Sequence, residues 1–318
     1  MTRAFTILEM MAVVAILGVL AALVLVGVQR LDASSMSAAD LARQRQIAAA
    51  QTKYAADHDS RLLHPRTTVW DSPNPYVDLV NSQDGYDVEL RDADNLYQDA
   101  LSRFWVRDFG DGLEDTGETD PVTGQPLYIE VPDALSSGAA WDYLDANIDA
   151  YRSPLDPSTR IRSYSLNGFV GVNVCAEDWY WSEGGPFEGD FIKYAVPCPT
   201  SMQIRQPSMT MCSIAEDDPS AANNTPGFNQ DGFLVHPDQD TAYWYDIPAL
   251  WDPTRINLSN MDGSTHSIRV SDPDLYKTLA QPDSGPGYLE HACPEILQIQ
   301  QRLLPGVLEF RTLEDLPD

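Results

Sequence analysis

Lysine is nearly absent from this chain of 318 residues, occurring only at Lys53, Lys193 and Lys277. Lysine and arginine together number 20 against 48 acidic residues. The resulting net charge of −28 and pI near 4.2 leave no basic surface to neutralise phosphates, which excludes nucleic acid as a partner. Most of the acid is aspartate, whose short arm suits turns and hard cations and equally suits a plain solvated surface. Cysteine is also scarce: Cys175, Cys198, Cys212 and Cys293 all lie in the C-terminal half, with no C-x-x-C pair. That excludes a zinc ribbon and a thioredoxin motif, while an oxidising compartment would allow disulfides. Cys198 and Cys212 bracket a loop-like stretch and are the first candidate pair. None of the five histidines sits in H-E-x-x-H, and no serine sits in G-x-S-x-G. With 48 acids any carboxylate pair is uninformative, so no catalysis is expected.

Against these absences stands one long apolar run. From Met10 to Val28 there is no polar side chain, and Glu9 sits just before it. About 20 apolar residues in a helix match the hydrocarbon thickness of a bilayer, so the run predicts a transmembrane helix. A cleaved signal peptide would have a longer basic start than Arg3 alone. A simple anchor would leave Glu9 as an unexplained cost of roughly 2 to 3 kcal/mol at depth. An ionisable residue at such a place needs a partner, and a new N-terminal amine freed just upstream would be one.

The string Ala4-Phe5-Thr6-Ile7-Leu8-Glu9, followed by the apolar helix, resembles the signal of type IV pilins and type II secretion pseudopilins. The resemblance implies cleavage by a prepilin peptidase between Ala4 and Phe5, with Ala4 standing where the family has glycine. It further implies methylation of the new amine on Phe5, and pairing of Glu9 with a neighbouring subunit's N-terminus during assembly.

No proline or glycine interrupts 29–58, and alanine is frequent, so helix is predicted to continue unbroken over 5–56, close to about 80 Å. Leu31, Ala38, Leu41, Ala42, Ala48, Ala49 and Ala56 supply one face, to pack on a head or on neighbouring helices. Arg43, Arg45, Gln46 and Lys53 supply another. Pro65, Pro73 and Pro75 then mark the turn into a head. Strand-like runs at 127–131, 164–174, 191–196, 233–236 and 267–270, with helices at 92–105 and 293–304, predict an α+β head built on an antiparallel sheet.

The stretch 108–120 carries Asp108, Asp111, Glu114, Asp115, Glu118 and Asp120 with no cation. Setting Asp111 and Gly112 at the fifth and sixth positions of an EF-hand-like loop puts Asp115 at the ninth and Glu118 at the twelfth. Arg107 and Phe109 then spoil the first and third positions, so only a shortened loop using Asp108 would bind calcium. The choice between a calcium loop of Asp108, Asp111, Asp115 and Glu118 and an acidic solvated turn stays open. Several pseudopilin heads hold calcium, which the resemblance adds to the first reading.

Arg162-Ser163-Tyr164-Ser165-Leu166-Asn167-Gly168, after Pro154, Asp156 and Pro157, resembles the SY-x-x-N strand of large-headed pseudopilin-like proteins of planctomycete and verrucomicrobial type. Asp262-Gly263 with His266 is similar to that group's terminal hairpin, here as a turn with a structural histidine. The aromatic triplets 179–181 and 243–245 alternate as strand residues do, which favours core packing over a sugar platform.

The expected organisation is a leader at 1–4, a transmembrane half-helix at 5–28, an extracytoplasmic half at 29–60 and a head at 61–318. The expected place is the bacterial inner membrane, in a single pass, with the head in the periplasm or on an extracellular filament. The implied partners are the prepilin peptidase, other pilin or pseudopilin subunits, the inner-membrane assembly platform and the lipid bilayer. The implied role is a structural subunit of a type II secretion or type IV pilus-like filament. The alternative is a membrane-anchored carbohydrate-binding or hydrolytic head exported on a pilin-type signal.

Overall fold

A computed structural model describes residues 7–67, 93–107, 113–119, 126–172, 198–216, 232–237, 242–272, 274–279 and 289–304. The first element is a single helix, α1 (Ile7–Asp57), of 51 residues. At about 1.5 Å per residue it is roughly 75 Å long. It stops where Asp59 and Ser60 take left-handed backbone angles.

The head is α+β, as expected. Its centre is a four-stranded antiparallel sheet in the order β3 (Tyr164–Leu166), β4 (Met211–Ala215), β6 (Arg255–Asn260), β7 (Thr265–Arg269). Two smaller antiparallel pairs flank it: β1 (Leu113–Thr119) with β2 (Pro126–Glu130), and β5 (Tyr243–Trp244) with β8 (Leu289–Glu290). The remaining helices are α2 (Ala93–Arg103), α3 (Pro132–Ser136), α4 (Leu275–Leu279) and α5 (Pro294–Leu303). Pro294, which lacks an N–H, opens α5 at the position where none is needed.

Alternation along the strands divides the interior into two cores. Ile256 and Leu258 of β6 point to one side, where they meet Phe169, Ile214, Trp244, Ile268 and, from α5, Ile296, Ile299 and Leu303. Tyr164 and Leu166 of β3 point to the other side, where Ile47, Ala48 and Tyr54 of α1 meet Leu62, Trp105, Leu135 and Tyr151. The sheet is thus covered on both faces, and β4 is buried at every position.

Several buried charged groups in the head are held by ion pairs or by hydrogen bonds. Arg162 is bound to Glu130 and lies 5.6 Å from the centre of the Trp105 ring. Arg103 is buried, pairs with Asp99 at 2.8 Å and donates to the carbonyls of Leu62 (2.7 Å) and Gly171 (2.6 Å), tying α2 to two loops. Glu295, in the first turn of α5, accepts from the N–H and hydroxyl of Ser271 and from Asp272 N–H. Burial pushes the Glu295 carboxyl up, but these donations outweigh it and hold the group below the ordinary carboxylate range. A carboxylate with a lowered folded-state pKa contributes stability that is complete above the unfolded value, about 4.3, and is lost as pH falls through the lowered one. Glu295→Gln is expected to flatten the acid limb of Tm against pH; an unchanged limb would contradict this assignment.

One expectation needs correction. Among the described residues no helix is long and apolar enough to cross a membrane. The transmembrane half of the spine over 5–28 is therefore not supported, nor is the single-pass inner-membrane placement that depended on it.

Candidate functional site

The two ends of α1 are in contrasting surroundings. Toward the N-terminus, Met10, Met11, Val14, Ile16, Leu17, Val19 and Leu20 are between 52 and 67 % exposed. Every residue from Val14 to Ala22 is exposed, so the helix is bare on all sides there and not along one stripe. A helix that is apolar all round calls for neighbours all round.

Toward the C-terminus the helix docks on the head through Ser37, Asp40, Gln44, Ile47, Gln51 and Tyr54, all buried. Their spacing alternates three and four, the repeat of a helix face that meets one partner. It is not the expected face: Ala38, Ala42, Ala49 and Ala56 are exposed. The sheet presents polar groups here, and so the docked face is half polar.

Asp40 is the centre of this joint, only 1 % exposed. Its Oδ1 accepts from the hydroxyls of Ser153 (2.5 Å) and Tyr164 (2.7 Å). Its Oδ2 accepts from Asn257 Nδ2 (2.9 Å) and Gln44 Nε2 (3.2 Å). Asn257 also donates to Ser37 Oγ at 3.1 Å and accepts from Ser267 Oγ at 2.6 Å, while Gln44 donates to the Asn257 carbonyl at 3.0 Å. Lower down, Gln51 Oε1 accepts from Leu63 N–H at 2.9 Å. Burial, reinforced by the Asp40 charge and hydrogen bond, pushes the Tyr164 phenol well above its ordinary pKa, so it stays a donor.

Ala4 and Phe5 lie outside the described residues; Glu9 lies within α1, and its side chain is outside them too. Asp108 and Asp111 are likewise outside. Asp115 and Glu118 fall in β1, so their stretch is a hairpin strand and not the loop its spacing predicts, and their side chains are not described. Among the described residues no group of three or more His, Cys, Asp or Glu is placed to hold a metal ion.

Cys198 and Cys212 are both buried free thiols, and the expected pair is not formed. Cys212 sits within β4, whose strand pairing on both edges holds it in the second core, and burial pushes both thiols up to about 12. Trp244 and Tyr245 are core residues, with Trp244 Nε1 donating to His291 O; 179–181 lie outside the described residues.

The SY-x-x-N stretch is a structural fastener. Its Tyr164 reaches Asp40, and its Asn167 donates to the carbonyls of Met211 (2.9 Å) and Leu303 (2.8 Å), joining β3 to β4 and α5. Asp262-Gly263 makes the turn between β6 and β7, with Gly263 at φ +83° and Asp262 Oδ1 accepting from Ser264. Burial, together with the Arg302 charge, lowers the pKa of His266, as suits a neutral structural histidine.

No protein-family model matches the chain, and neither a curated protein nor a solved structure was found to match it.

Proposed function

We propose that this chain is a structural subunit of a filament of the type IV pilin and type II secretion pseudopilin kind, assembled through the N-terminal half of α1. The observation that carries the reading is the exposure of residues 14–22 on every side, on a helix whose C-terminal part is locked into the head. Copies of the same helix, packed as a bundle, are the occupant that covers all faces at once, and each copy brings an identical apolar surface. The head, fastened at Asp40, is then carried on the outside of the bundle. On this reading the prepilin peptidase cuts between Ala4 and Phe5, and Glu9 neutralises the amine of a neighbour.

Leu17→Glu tests the reading. A carboxylate without a partner inside such a bundle costs several kcal/mol, on the order of 3–5, in each subunit. Filaments are expected to vanish from electron micrographs of cells producing the variant, while thermal unfolding of the head stays as in the unmodified chain. Filaments that persist with Glu at position 17 would overturn it.

A further inference from the structure

The joint between α1 and the head raises a separate question, namely what stops so smooth a helix from sliding. In its upper half the docked face is Ser37, Asp40 and Gln44, with no apolar side chain among them. Lower down, the docked residues beside Ile47 and Tyr54 include Ala48, Ala50 and Ala55, which resist translation weakly, and Gln51, whose bond from Leu63 N–H goes to the segment that directly follows α1 and not to the sheet. Apolar packing is non-directional, so contacts of this kind leave the axial position loosely determined.

We propose that the Asp40 carboxylate is the register pin of the molecule, fixing both the axial position and the rotation of α1 on the head. Its two oxygens are held from opposite flanks of β4: Oδ1 by Ser153 and by Tyr164 of β3, Oδ2 by Asn257 of β6. A rotation of the helix breaks one side or the other. The three partners that the head supplies, Ser153, Tyr164 and Asn257, all donate, so the pocket favours a group with two acceptor oxygens. Sliding by one turn brings Ser37 or Gln44 into that place. Ser37 has a single oxygen, and Gln44 would turn an amide donor toward donors. Neither satisfies the site, and the unpaired buried groups disfavour every shifted register. Arg43, which donates to the Arg152 carbonyl, and Arg45, which donates to Thr265 Oγ1 at 3.3 Å, flank the pin without entering it. The inference is independent of what the N-terminal half binds.

The test separates a pin from a mere source of stability. Spin labels are placed on the full chain through p-acetylphenylalanine at positions 49 and 136, exposed on α1 and α3, so the native thiols are left alone. The hub is then made apolar by Asp40→Leu, Ser153→Ala, Tyr164→Phe and Asn257→Ala together, which removes the donors along with the acceptor. The unmodified chain is expected to give one narrow distance. The apolar variant, still folded, is expected to give a broadened or split distribution, with populations displaced along the helix by about 5.4 Å, one turn. A single unchanged distance in the apolar variant would overturn the proposal. If that variant does not fold, Ser37→Asp with Asp40→Ser, which moves the carboxylate three residues up the same face, decides. A shift of the distance by about 4.5 Å of helix rise supports the pin, and an unshifted distance overturns it.

Discussion

Asp40→Ala is expected to lower the unfolding free energy of the head by about 3–5 kcal/mol, the sum expected when several buried donors lose one shared acceptor. Ser153 and Tyr164 lose their carboxylate outright. Asn257 keeps its bond to Ser37, and Gln44 keeps its bond to the Asn257 carbonyl, so the loss is less than four full penalties. Asp40→Asn restores one acceptor on the Oδ1 side but sets an amide donor against Asn257 and Gln44, and should recover only part of the loss. Urea titration read by tryptophan fluorescence checks both. A change under about 1 kcal/mol for Asp40→Ala, the size of one ordinary hydrogen bond, would show that the hub is incidental to the joint.

Gly171→Ala is expected to be as damaging or more so, by about 4 kcal/mol or above, in the exceptional range for a single substitution. Gly171 sits at φ +88°, and a Cβ there would lie 2.0 Å from the carbonyl oxygen of Leu63. Neither backbone is free to retreat. Gly171 N–H is bound to Cys198 O at 2.9 Å and its carbonyl to buried Arg103, while Leu63 N–H is held by Gln51 of α1. The left-handed angle alone costs a residue with a Cβ about 1–2 kcal/mol, and the clash adds to it. Loss of soluble protein, or a Tm lowered by about 8–16 °C (about 2–4 °C per kcal/mol at this size), is the expected result. A variant that melts with the unmodified chain would contradict the packing described around residues 62–64.

Both predictions rest on residues that hydrophobic periodicity passes over, which explains what was legible in the sequence. The spine, α2 and α5 were plain, because helical propensity, Pro294 at a first turn and the absence of breakers are local signals. Strands β2 and β7 showed through apolar alternation, and the tight turn at Asp262-Gly263 showed through its dipeptide. Strand β4 did not: in Met211–Ala215 both faces are buried, so nothing alternates. In β6 the apolar Ile256 and Leu258 alternate with Asn257 and Ser259, and what the pattern does not show is that these polar positions are buried too. The same chemistry hid the docking face of α1. A search for apolar spacing finds its alanines, most of which are exposed, whereas the buried repeat of Ser37, Asp40, Gln44, Ile47, Gln51 and Tyr54 is visible only when polar residues are counted as candidates for burial. Cys198 and Cys212, a candidate pair by their place in the sequence, are free buried thiols in the structure. The apolar run 10–28 predicts a membrane span, whereas among the described residues no helix is long and apolar enough to cross a membrane.

The most direct test of the assembly account is the intact mass and N-terminal sequence of the mature protein isolated from its own host. The account predicts a chain that begins at a methylated Phe5, leaving a free amine for Glu9 of a neighbouring copy to neutralise. A chain that retains Met1, or one cut beyond Val28 so that Glu9 and the exposed apolar half of α1 are gone, would contradict it.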